Sequence, residues 1–289
     1  MKRKDLSYAS RYLIVAAFLL LASAGNAQRK GPPKSTGLEA FLQTQFWLGL
    51  RFGTNISTIN VEEQYSGLSP INYDPDLLRK NYENFKMPGA QVGLEMNLYH
   101  KGFSISFQPS YRVNRYRYSS TLNYQRVDET PAFEARYDIK QQLSTLELPL
   151  VLKYDFIRKG KIRPFVMAGA FHARILGAQK EFEISEVDFD NTNSIESNTG
   201  SIIVGTKDHF QPFSGLIGGI GVNLDYWNIR TVFEIGYRHS LTQATIGNSR
   251  QEQLTSLGEA EDRLAIHDLN ASLSFVFPFR FISSGLRAY

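Results

Sequence analysis

Three histidines, His172, His239 and His267, fall toward the same ends of three alternating segments, and His209 lies near a loop end. Ser240 directly follows His239, and a run of carboxylates (Glu181, Glu183, Glu186, Asp188, Asp190) lies between His172 and His239. An imidazole, a hydroxyl and a carboxylate are the types that acyl transfer requires, each touching the next in order. Spacing does not assemble them here. His239 and His267 share parity with large apolar neighbours, so they do not face an inward pocket. The acidic run has the ligand type for Ca²⁺ but not the ordered spacing of a dedicated loop, and a solvated loop is the reading it supports. The chain has no cysteine, which excludes disulfides, thiolate catalysis and Cys-based zinc sites. No catalytic residue, cofactor or metal is expected.

Two other sets of residues have a role open to them. Arg51, Glu95, Arg112, Glu147, Lys153, Arg230, Glu234 and Arg238 each sit opposite an apolar face, with both signs represented. Enclosed together they would form a paired interior network, because a buried ion is tolerable only with its partner and breaking a pair costs ~3–5 kcal/mol. Arg115, Tyr116, Arg117 and Tyr118 interleave cations and rings at one strand end. Guanidinium matches phosphate bidentately and aromatics anchor at a lipid interface, so these four are candidates for lipopolysaccharide contact, against the plainer reading of a solvated hairpin.

The elements that must position these groups are strands. From Leu146 to Tyr154 the residues Leu146, Leu148, Leu150, Leu152 and Tyr154 share one parity, with Glu147, Pro149, Val151, Lys153 and Asp155 on the other. The same period of two recurs at about 46–55, 87–99, 103–120, 213–225, 229–238 and 264–281, and less regularly at 162–175. In that last segment Phe165, Met167 and Phe171 compete with Val166, Ala168 and Ala170, and its outward face is not assigned. Pro109, inside the third strand, predicts a bulge. Connections alternate long and short, about 31, 3, over 20, 7, 36, 3 and over 20 residues. Eight strands so connected predict an all-β, antiparallel, up-and-down transmembrane β-barrel, with long extracellular loops and short periplasmic turns.

A soluble eight-stranded barrel has the same periodicity with its faces exchanged. Three features favour the membrane form. The apolar parity is uniformly bulky, with four phenylalanines among the alternate positions from Leu273 to Phe281, more than a narrow lumen holds. The opposite parity mixes small residues with opposed charges. Tyr99, Tyr154, Tyr226 and Trp227 flank the short turns, where an aromatic girdle belongs. Such a lumen is expected to be plugged by side chains; a small-solute channel and a surface enzyme are the alternatives.

Residues 1–27 read as a signal peptide: a basic head (Lys2, Arg3, Lys4, Arg11), an apolar stretch from Tyr12 to Leu21, and small residues Gly25 and Ala27 at the cleavage position. Residues 28–45 read as a periplasmic leader, 46–281 as the barrel and 282–289 as a periplasmic tail. Of 32 basic and 28 acidic residues the signal carries four and one, so the remainder is near neutral and nucleic acid is not an expected partner. The expected partners are outer-membrane lipid, lipopolysaccharide and an envelope protein met through the leader or the loops.

Leu146, Glu147, Leu148, Pro149, Leu150, Lys153 and Tyr154, followed by Pro164, Phe165, Ala168 and Gly169, resemble a strand pair of the PorT-like outer-membrane β-barrel family of Bacteroidota. The early segment Trp47–Ser57 resembles that family's opening strand. The resemblance implies a small outer-membrane barrel and, through PorT itself, an accessory role in type IX secretion. It carries no catalytic residues. The long third loop and the proline-containing leader depart from a minimal member and favour a partner-binding or assembly role.

Overall fold

In the computed structural model of the protein, the described residues are 44–65, 80–125, 131–157, 160–189, 195–226, 228–247, 254, 257 and 259–279. The chain divides into Met1–Gln43 and Thr44–Tyr289, and the first unit lies outside the described residues. So do the signal peptide, nearly all of the leader, the tail, and Trp227, Asp190 and Phe281.

Eleven strands form one antiparallel sheet: β1 (Thr44–Glu63), β2 (Asn81–Glu83), β3 (Pro88–His100), β4 (Phe103–Phe107), β5 (Ser110–Gln125), β6 (Pro131–Asp155), β7 (Ile162–Asp188), β8 (Ile195–Gly205), β9 (Phe213–Tyr226), β10 (Ile229–Ser240) and β11 (Arg263–Pro278). Pairing of β1 with β11, from Trp47 opposite Pro278 to Val61 opposite Leu264, returns the sheet to its start. β4 and β5 occupy one position in the ring, so the closed circuit has eight positions, and β2 and β8 extend it at the end of the long connections. Closure leaves no unpaired edge around that ring, the condition a sheet must meet in lipid.

The break between β4 and β5 falls at Gln108 and Pro109, the position expected to bulge. Proline has no N–H to give the ladder. Its carbonyl still accepts from Leu94 N at 2.9 Å, and Gln108 N donates to Pro149 O at 3.1 Å, so the ladder resumes on both sides. Between β3 and β4 only Lys101 and Gly102 intervene, both with positive φ (49° and 94°), the turn form whose twist matches a hairpin.

Side chains alternate strictly. Leu146, Leu148, Leu150 and Leu152 of β6 are exposed while Thr145, Glu147, Val151 and Lys153 are buried. The exposed row on β11 runs from Leu269 through Leu273, Phe275 and Phe277 to Phe279. The ten steps from Leu269 to Phe279 at ~3.4 Å, tilted by ~40°, give an apolar height of about 26 Å, close to the ~25 Å band of an outer-membrane barrel.

The structure corrects several expectations. β6 and β7 are far longer than the segments 140–155 and 162–175, because both continue beyond the apolar band as a twisted ribbon joined by β8. The acidic run is therefore strand up to Asp188 rather than loop. In β7 it is Phe165, Met167 and Phe171 that point inward, and Val166, Ala168 and Ala170 that point out. Room for the large rings comes from the glycines of β9: a Cβ at Gly219 would lie 2.6 Å from Met167 Cε, one at Gly215 2.6 Å from Phe171 Cε1, and one at Gly221 would collide with the Phe165 ring. Further along, the register with β6 shifts between Ile175 and Gly177. This bulge at Leu176 reverses parity, so Lys180, Phe182 and Ile184 face inward instead of their odd-numbered neighbours. Tyr99 is also buried in the interior instead of joining a girdle at the lipid interface; it follows the parity of Glu95 and Asn97. Tyr154, by contrast, packs on the outer face against Phe103 and Phe156, and Tyr226 is exposed.

Candidate functional site

Four ion-pair layers are stacked along the interior. Nearest the short turns, Asp225 accepts from Arg230 Nε at 2.7 Å and lies 2.6 Å from Arg163 Nη2, while Asp155 lies 3.6 Å from Arg163 Nη1 and accepts from Asn223 at 3.1 Å. Trp47 and Tyr99 wall this layer, with the Arg230 guanidinium 4.1 Å from the Trp47 ring centre and that of Arg163 5.2 Å from Tyr99. A delocalised cation stacked on an aromatic face keeps part of the attraction lost when water is removed.

The second layer joins four strands. Arg51 of β1 meets Glu234 of β10 at 2.5 Å and Glu95 of β3 at 3.5 Å; Lys153 of β6 meets Glu95 at 2.5 Å and also Glu234. All four side chains are at most 2 % exposed. With its amide oxygen turned toward the cations, Gln108 accepts from Arg51 at 3.1 Å, and from Ser106 and Lys153 at 3.2 Å. The strand break at Gln108 and Pro109 thus places a neutral acceptor where two cations converge.

In the third layer Arg112 pairs with Asp268, reaches Glu147 at 3.5 Å, and donates to Gln91 at 3.0 Å and Asn114 at 2.9 Å; Arg238 pairs with Glu147. Each of these three layers contains two cations and two carboxylates and is neutral. Neutrality within a layer, not merely over the whole lumen, is what a low-dielectric interior demands, since charges separated by a layer compensate each other poorly.

The fourth layer lies beyond the apolar band at the long-connection end, and the last long connection supplies its acids. Lys80 Nζ lies 2.6 Å from Glu259, 2.9 Å from Asp262 and 2.6 Å from Ala260 O. Lys180 Nζ lies 2.6 Å from Glu261 and 3.5 Å from Glu259. Tyr118 donates to Glu259 at 3.0 Å and Tyr82 to Asp262 at 2.6 Å, their rings stacked 4.7 Å apart. Burial works against the charge on Lys80, but Glu259 and Asp262 outweigh it and raise the ammonium above its ordinary value. Burial likewise opposes ionisation of Glu259, yet Lys80 and Lys180 prevail and hold its carboxyl below the ordinary value. Burial, and then Asp262, push the Tyr82 phenol well up.

The eight charges singled out in the sequence are distributed over the first three layers. Asp155, Arg163, Asp225 and Asp268 join them; parity alone could have found Asp155, which faces the same way as Lys153, and Asp225 and Asp268, which lie opposite the apolar rows of their strands, whereas Arg163 lies in the segment whose face the sequence does not assign. Lys180 could not be found so, because the Leu176 bulge reverses its facing. Glu259, Glu261, Asp262 and Lys80 come from connections that carry no periodicity.

Two sets of predicted contacts separate. Tyr116 and Tyr118 are 1 % exposed and face inward, which removes them from the lipopolysaccharide-contact set; the alternation that exposes Arg115 necessarily buries them. Arg115 and the half-buried Arg117 face out, donating to Gln142 at 3.0 Å and Asp138 at 3.0 Å. His172 Nδ1 lies 2.9 Å from Ser214 Oγ on the outer face. His239 and His267 stack in parallel, 4.4 Å between centres, and His267 Nδ1 accepts from Ser240 N at 3.0 Å. The Ser240 hydroxyl is turned away, donating to Thr242 O at 2.8 Å. These groups do not form a nucleophile–base–acid chain, and among the described residues no cluster of three or more His, Asp or Glu has metal-binding geometry.

No curated protein matches the chain. Among solved structures, the chain is similar to OprG from Pseudomonas aeruginosa (13 % identity, 82 % of this chain and 96 % of that one, TM-score 0.39) and to Ail of Yersinia pestis, solved with the heparin analogue sucrose octasulfate (8 % identity, 81 % and 99 %, TM-score 0.29). At such scores neither carries an argument. The model of the outer membrane protein β-barrel domain matches residues 26–245, most of the sequence. The chain belongs to the outer membrane protein β-barrel domain family, and its place is the outer membrane.

Proposed function

We propose that this protein is a closed, non-enzymatic barrel that acts in the outer membrane as a scaffold, holding protruding hairpins for a partner in the cell envelope. The observation that supports the reading is the succession of ion pairs along the lumen, Arg163 with Asp225, Arg51 with Glu234, Arg112 with Asp268 and Lys180 with Glu261, which sets charged side chains across it at four levels. An eight-position ring has an interior just wide enough for side chains, and here those side chains are cross-linked by charge. The hairpins supply the other half. β6 starts at Pro131, fifteen residues before the apolar row begins at Leu146, on the order of 50 Å of strand outside the bilayer. Surface of that length, paired as β5–β6 and β7–β8, is more than a loop closure requires.

The finer kinship with PorT-like proteins, and with it an accessory role in type IX secretion, is supported by the strand pair from Leu146 to Gly169. The domain boundaries proposed are a signal over 1–27, a leader over 28–45, a barrel over 46–281 and a tail over 282–289. Crosslinking in intact cells, followed by identification of the attached proteins, tests the scaffold reading. Recovery of envelope-secretion components supports it, and a barrel that crosslinks only to itself and lipid overturns it. Planar-bilayer recording tests closure: large, stable unitary currents from the reconstituted protein would refute a filled lumen.

A further inference from the structure

The outward face of β5, β6 and β7, just beyond the apolar band, carries a charge arrangement that the interior network does not use. In register across these strands, Tyr111 of β5 lies opposite Leu146 of β6, and Leu146 opposite Arg174 of β7; four residues further out, Arg115 lies opposite Gln142, and Gln142 opposite Gln179. Arg174 sits between the exposed Leu146 and Leu176, at the upper limit of the apolar row, and among the described residues it has no partner. Arg115 has only the neutral Gln142. Both arginines are exposed.

A cleft of about 270 Å³ opens beside Arg115, lined also by Met87, Lys140, Gln142, Gln179 and Glu181. Its two charged groups further out are already engaged: Lys140 with Glu183 at 2.6 Å, and Glu181 accepting from Ser201 at 2.7 Å. Moving outward from the apolar row, the first outward-facing carboxylates on these strands are Asp138 and Glu181, both beyond the level of Arg115. Further round the ring, past β9, the exposed His239 of β10 stacks on the buried His267 of β11. On β5, β6 and β7 the levels of Arg174 and Arg115 are therefore cationic or neutral, and the carboxylates begin at the outer side of the cleft with Glu181, which Ser201 engages.

We propose that Arg115 and Arg174 form a binding site for the phosphate groups of lipopolysaccharide, with the cleft at Arg115 seating one phosphate and Arg174 holding another at the hydrocarbon boundary. Four residues along the strand, about 14 Å, and two inter-strand steps, about 10 Å, separate them, roughly 17 Å in all. That spacing suits two phosphates on one headgroup rather than a single ion shared by both. Guanidinium gives each phosphate a bidentate contact, and the low dielectric beside the acyl chains strengthens it. The inference is independent of the scaffold reading and rests only on the long connections facing outward.

The test is the affinity of the full-length protein, in phosphatidylcholine liposomes, for lipopolysaccharide, for the same lipopolysaccharide after enzymatic dephosphorylation, and for inorganic phosphate as competitor. Arg115→Gln and Arg174→Gln should each weaken binding about tenfold, and the double variant about a hundredfold. The lysine versions should retain part of the affinity, as should be expected of a charge that loses its fork. Arg136→Gln, on the same face but further out, should bind like the parent. Resistance to unfolding in cold detergent shows that each variant is folded. Equal binding by the double variant, or by dephosphorylated lipopolysaccharide, would overturn the proposal. Displacement by millimolar inorganic phosphate would also overturn it, by marking a site for the free anion.

Discussion

The second ion layer permits a stringent test of whether charge is balanced level by level along the lumen. Lys153→Met preserves length and most of the volume but leaves Arg51 alone between Glu95 and Glu234, a buried site with one uncompensated negative charge. A charge pair at 2.5 Å in an effective dielectric of ~20 attracts by about 6–7 kcal/mol, and the cost of withdrawing the ammonium from water opposes this by several kcal/mol. The difference sets the expected loss at ~3–5 kcal/mol. Adding Glu95→Gln restores neutrality, since Arg51 then faces Glu234 alone at its shorter contact. The double variant should therefore be more stable than the sum of the singles predicts, by at least ~1–2 kcal/mol. Urea unfolding in lipid vesicles, followed by tryptophan fluorescence, measures all four members of the cycle. A Lys153→Met variant within ~0.5 kcal/mol of the parent, or a cycle that is strictly additive, would refute layer-by-layer neutrality.

Other consequences are equally concrete. Gly221→Ala sets a methyl against the Phe165 ring and the Phe233 carbonyl, and should cost ~1–3 kcal/mol in the same unfolding assay, with the loss persisting when Phe165 is trimmed because the carbonyl remains. Lys180→Met leaves three carboxylates to Lys80 alone in the outermost layer, and should loosen the segment 259–262 while the lower layers hold; protease cutting near that segment should rise with little change in the global transition. The same layer has a defined pH window. Glu259, lowered in the fold, contributes above the ordinary carboxylate value of 4.5 and loses that contribution as pH falls through its depressed value. Lys80, raised in the fold, contributes below 10.5 and loses it as pH rises through its elevated value. A spin label at Leu257→Cys, the sole thiol in the chain, should be immobile across neutral pH and mobile at both extremes; mobility that climbs steadily between pH 6 and 9 would contradict this.

The sequence by itself determined the ring. A period of two places one parity in lipid and the other in the lumen, and the number of alternating segments then gives the eight positions, though not how far β6 and β7 run beyond the apolar band. So Leu146 to Leu152 and Leu269 to Phe279 could be assigned outward, and Arg51, Glu95, Glu147, Lys153 and Glu234 inward, before any coordinates. Parity says which face a residue occupies and nothing about its neighbours across the lumen. The partition into neutral layers is set by stagger between strands remote in sequence, such as β1 against β10. Parity also fails wherever the ladder slips, as at Leu176, which turns Lys180 inward. It misleads where a bulky inward row is compensated on another strand, as the glycines of β9 compensate Phe165, Met167 and Phe171. Tyr116 and Tyr118 were legible as inward from the alternation itself, but their interleaving with arginines suggested a shared surface that a pleated strand cannot provide. The outermost layer was beyond reach for a different reason: Lys80 and the acids from Glu259 to Asp262 lie in irregular chain, and only the long-range fold brings them over the mouth of the barrel.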